Sequence, residues 1–136
     1  MLPAIPDTDQ KSWTWMARII NLPDAVAARG FSPFITATAD VVVEDPDVPA
    51  NSGHWRLAAS GGRATAELLG PVGASPAAYG DSGEPATLGP RGLAALWCGR
   101  TMSQLRQAGL TSGGSAEADA ALDAVFAGTP HLLEYF

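Results

Sequence analysis

Two alternating segments joined by Gly61-Gly62 constrain this chain more than any other feature. In HWRLAAS, Trp55, Leu57 and Ala59 oppose His54, Arg56 and Ser60; in RATAELL, Ala64, Ala66 and Leu68 oppose Arg63, Thr65 and Glu67. A period of two is that of a half-buried strand, and a Gly-Gly link supplies the positive φ angles of a tight hairpin turn. The same period runs through ITATADVVVE. There Ile35, Ala37, Ala39, Val41 and Val43 face one side and Thr36, Thr38, Asp40 and Glu44 the other, with Val42 the exception. Residues 35–69 therefore predict a three-stranded antiparallel meander with one apolar face. That face has to be covered by the rest of the chain.

Residues 1–11, with Pro3 and Pro6, read as a linker, and residues 12–136 as one domain. Trp13, Trp15, Ala17 and Ile19 alternate with Ser12, Thr14, Met16 and Arg18 and predict a further strand. Asn21-Leu22-Pro23-Asp24 opens a short helix, because proline and an acid suit a first turn with free N–H groups. Gly30 is expected to end it with a left-handed backbone. Residues 45–53 and 70–85 are loops dense in turn formers, and Ala86–Leu88 is a candidate short strand. Three helices are expected after that: one from Pro90 to Cys98 with Gly99 after its end, one capped by Thr101 or Ser103 and stopped by Gly109, and one from Ser115 through Ala127. TSGGS, between the last two, reads as a linker. Strands followed by helices give an α+β class, mainly antiparallel with helices on one side.

Composition then removes function classes. The net charge of −6 rests on 14 acids against 8 scattered bases, which disfavours nucleic acid as a partner. The one cysteine, Cys98, forms no internal disulfide, and with His54 and His131 it shows no metal-ligand spacing. No membrane span and no signal peptide are visible, so a cytoplasmic location is expected. In 136 residues there is no room for a cofactor domain beside a substrate domain.

Few residues offer chemistry. His54 is expected on the solvent face of its strand, and Cys98 as a small buried hydrophobe. Asp40, Glu44, Asp45 and Asp47 cluster near one strand end, where they would hold a cation or a polycationic substrate, or serve a solvated loop and its caps. Gly113-Gly114 lacks the preceding strand and following lysine of a phosphate loop. No Arg/Gln-x-x-Gly-x-Gly/Ala stretch is present to cradle the pyrophosphate of acetyl-CoA. The C-terminus is more distinctive: Leu132, Leu133, Tyr135 and Phe136 make it apolar, although chain ends fray unless docked. A docked α-carboxylate is a candidate general base, because burial raises a carboxylate pKa.

The segments LAALWCGRTMSQLRQAGL and AEADAALDAVFAGTPHLLEYF resemble the C-terminal domain of the enhanced intracellular survival (Eis) acetyltransferases. The match runs through Leu93–Gly99, Leu105–Gly109, Leu122-Asp123-Ala124-Val125-Phe126, Pro130 and the terminal Phe136. WMARIINLPDAVAARGF and GHWRLAASGGRAT are similar to the strand–helix and hairpin of the same family. The resemblance implies a fold like sterol carrier protein 2, a curved sheet covered by helices around an apolar groove. It also implies that acetyl-CoA is bound by a GNAT domain elsewhere in a parent chain, and that no cofactor is held here. The role it carries over is general base, from the C-terminal carboxylate of Phe136, toward a small amine. Glu134 and Tyr135 would then touch substrate; a member of the family has an acid before its last residue, where this chain has Tyr135 with Glu134 one further back, and that departure bears on amine preference.

Three readings follow. The first is an accessory domain of an Eis-like N-acetyltransferase, inactive alone, that shapes the amine pocket. The second is a stand-alone sterol or lipid carrier whose groove is lined by Leu93, Trp97, Met102 and Leu105. The third is a structural or homo-oligomerisation domain, favoured if Trp13 or Trp15 is exposed.

Overall fold

The computed structural model describes residues 16–73 and 83–128. Helix α1 (Leu22–Ala28) is followed by strands β1 (Ala37–Val43), β2 (Gly53–Ser60), β3 (Arg63–Gly70) and β4 (Ala86–Leu88). Helices α2 (Pro90–Trp97) and α3 (Met102–Gln107), strand β5 (Thr111–Gly113) and helix α4 (Ala116–Val125) complete the order. The strands form one sheet in the order β3-β2-β1-β4-β5.

The meander is present as expected. β1 and β2 pair antiparallel from Ala37–Ala59 to Val43–Gly53, and β2 and β3 pair antiparallel across the Gly61-Gly62 turn. Both glycines have positive φ, +59° and +84°, as a two-residue hairpin turn requires. β4 joins β1 in parallel, so the sheet is mixed although mostly antiparallel. Its partner on the far side is β5, antiparallel, where the sequence suggested a linker.

One face of the sheet, Ala39, Val41, Val43, Trp55, Leu57 and Ala59, is buried. All four helices add side chains to the same core: Leu22 and Val26, Leu93 and Leu96, Met102 and Leu105, Leu122 and Val125. Each such side chain, moved from water into the core, contributes roughly 1.5–3 kcal/mol. The described helices thus cover one face of the sheet and leave the other to polar residues.

Local chemistry sets the helix ends. Asn21 accepts from Asp24 N–H at 3.0 Å, and Ser115 caps α4 by accepting from Ala118 N–H at 3.1 Å. Thr101, of the two candidates for α3, is the cap, in a reciprocal box with Gln104. Asp123 on α4 accepts from Met102 N–H at 2.9 Å, so one helix satisfies a free donor of another. Two expectations are corrected. Helix α1 ends at Arg29 in extended backbone, and Gly30 does not turn left-handed. Residues 16–19 form no strand; the rest of that segment, with Trp13 and Trp15, lies outside the described residues.

Candidate functional site

The polar face of the sheet gathers three chemically useful side chains. Asp40 on β1 lies directly across from Arg56 on β2. The guanidinium grips the carboxylate with both arms, Nε to Oδ1 at 2.8 Å and Nη2 to Oδ2 at 2.9 Å. Asp40 is only 3% exposed. Its hydrogen bond, and then its charge, hold the Arg56 pKa above the usual arginine value, with a smaller contribution from Glu67 on β3. His54, one pair along β2, brings Nε2 to 3.5 Å from Asp40 Oδ2. It is buried, which corrects the expectation of a solvent-facing histidine. Alternation correctly turned His54 away from the apolar face, but it says nothing about burial on the opposite one.

The acidic cluster does not converge. Asp40 belongs to the sheet. Asp45 accepts from the backbone N–H groups of Asp47 and Val48, both at 3.0 Å, and from Arg18 Nη2 at 2.7 Å. Asp47 reaches the same guanidinium at 3.4 Å. These contacts fold the loop, and among the described residues no group of His, Cys, Asp and Glu is placed to hold a metal. Glu44 instead lines an open cleft of 360 Å³ with Thr87, Arg91, Leu110, Thr111 and Ser112.

The groove candidates are core residues in this structure. Leu93, Met102 and Leu105 are at most 1% exposed, and Trp97 is half-buried. Trp97 belongs to a feature that was not anticipated. The Arg29 guanidinium lies over the rings of Phe31, Trp97 and Phe126, at 4.9, 5.6 and 5.1 Å from their centroids. Its Nη atoms donate to the carbonyls of Gly30 and Trp97 at 3.2 and 3.3 Å. Burial lowers its pKa from the ordinary value. This arrangement ties together the ends of α1, α2 and α4. Cys98, expected inside, is exposed.

Neither glycine pair resembles a pyrophosphate cradle. Gly61-Gly62 closes a hairpin, and Gly114 packs against the backbone of Ala86. His131, Glu134, Tyr135 and Phe136 lie outside the described residues. So does much of the longer loop, residues 74–82. Among the described residues, no helix is long and apolar enough to cross a membrane.

Residues 22–133 match the family model of the sterol carrier protein domain. No curated protein matches the chain. Among solved structures, a GCN5-related N-acetyltransferase from Kribbella flavida is similar at 40% identity and a TM-score of 0.71, covering 88% of this chain and 28% of that one. A GCN5-related N-acetyltransferase from Anabaena variabilis is 25% identical with a TM-score of 0.67, covering 82% of this chain and 26% of that one. Eis1 from Mycobacterium abscessus is 24% identical with a TM-score of 0.52, a likeness of fold, covering 80% and 24%. The chain thus spans about a quarter of the length of these acetyltransferase chains.

Proposed function

The chain belongs to the sterol carrier protein domain family, and from that premise we propose that it works as the accessory domain of an Eis-like GNAT N-acetyltransferase. In this reading it shapes the pocket for an amine and supplies the α-carboxylate of Phe136 as general base. One observation carries the proposal: 40% identity over most of this chain, to little more than a quarter of an acetyltransferase.

The chemistry fits the end of the chain. An amine is protonated near neutral pH and attacks an acyl group only after losing that proton. A carboxylate placed beside it accepts the proton, and the surrounding negative charge draws cations in. The chain's net charge of −6 suits that role. Glu134 and Tyr135, next to the terminus, are the side chains best placed in sequence to touch the amine.

The isolated chain is expected to show no acetyl transfer from acetyl-CoA to any amine. Turnover by the chain alone would overturn the accessory role. Saturable binding of a fluorescent fatty acid or sterol would favour the carrier reading instead, which draws on the family's description.

A further inference from the structure

Among the described residues β3 is an outer strand of the sheet. Its hydrogen-bonding directions follow from the hairpin. Ser60 and Arg63 close a two-residue turn and form a hydrogen-bonded pair, and the ladder alternates from there. Main-chain groups of Arg63, Thr65 and Glu67 therefore point toward β2, and those of Ala64, Ala66 and Leu68 point outward. Gly62 marks the same outward direction, because its carbonyl accepts from Phe31 N–H at 3.0 Å. That crossing segment closes one end of the open edge. At the other end, the shift of register between His54 and Trp55 leaves Leu69 as a bulge. Between these limits the edge carries neither proline nor lysine, and its charges are one of each sign, Arg63 and Glu67.

The polar face adds charge to this geometry. Asp40, Arg56 and Glu67 stand in one row across β1, β2 and β3, with signs minus, plus, minus. The row stops at a carboxylate on the sheet edge. Neither Glu67 nor Arg63 forms an ion pair with a described residue. Leu68, beside Glu67, is 53% exposed.

We propose that the chain forms a homodimer in which two β3 strands pair antiparallel about a two-fold axis at Thr65. Residues paired across strands share a face, so the axis must relate two copies of one residue. An axis at Ala64 would set Ala66 against Gly62, whose carbonyl is already used. An axis at Ala66 would leave Arg63 opposite the bulged Leu69. The axis at Thr65 sets Ala64 opposite Ala66 of the partner subunit in hydrogen-bonded pairs. It also sets Arg63 opposite Glu67 of the partner subunit, in the non-hydrogen-bonded positions where side chains lie closest. The charge row then continues minus, plus, minus, plus into the second copy, and does so twice by symmetry. This inference stands on strand geometry and does not depend on the acetyltransferase reading.

Sedimentation of the full chain tests it. The wild type is expected to dimerise with rising concentration. Glu67→Arg and Arg63→Glu each place like charges together and are expected to weaken association about tenfold. The double reversal is expected to restore it, which a folding defect would not do; circular dichroism checks that each variant is folded. A chain that stays monomeric up to millimolar concentration overturns the proposal. So does a dimer indifferent to both reversals, or one that the double reversal fails to rescue.

Discussion

Asn51 joins two parts of the chain that are far apart in sequence. Its Oδ1 accepts from Leu22 N–H and its Nδ2 donates to the Ile19 carbonyl, both at 2.9 Å, while its own carbonyl accepts from the Trp55 indole at 2.8 Å. The residue is 1% exposed. An Asn51→Leu variant would strand a buried donor and a buried acceptor, and is expected to lose about 2–4 kcal/mol in urea unfolding. A loss within error would mean that these bonds do not hold α1. Gly92 is constrained differently. A Cβ there would meet the Leu110 carbonyl oxygen, so Gly92→Ala is expected to lower stability by about 1–3 kcal/mol despite better helix propensity. An unchanged or raised Tm would show that the backbone at Leu110 can yield. Neither role was readable beforehand. Asn51 sits in a turn-forming run, where asparagine is ordinary, and Gly92 sits in a helix where only its contact with Leu110 explains it.

The elements divide by how local their causes are. The hairpin and β1 were legible because alternation and a Gly-Gly link act over a few residues. α3 and α4 were legible because Thr101 and Ser115 cap them by contacts within three residues. β5 was not, because Thr111–Gly113 has no alternating apolar pattern and owes its form to pairing with β4. The ion pair between β1 and β2, buried at its Asp40 end, also escaped notice. Asp40 and Arg56 lie on different strands, and only the register brings them face to face. Arg56→Leu would leave a buried carboxylate without its partner and is expected to cost about 3 kcal/mol. Replacing both, as Asp40→Val with Arg56→Thr, should recover most of that loss. If single and double replacements cost the same in urea unfolding, the pair is not a coupled unit.

At the scale of the whole molecule, the described helices pack their buried side chains onto one face of the sheet. The apolar face is spent on the core, and the polar face carries a charge row that ends at an edge. Its candidate catalytic group is the end of the chain, a role that resemblance suggested and no alternation or cap could reveal. That claim has a direct test. The segment of the Kribbella flavida N-acetyltransferase that matches this chain can be replaced by residues 22–136, and the chimera assayed with acetyl-CoA and a panel of amines. The account predicts turnover by the chimera. It also predicts a fall in kcat of about 100-fold or more, with KM little changed, when one alanine is added after Phe136. A chimera without activity, or an extended chimera with undiminished kcat, would contradict it.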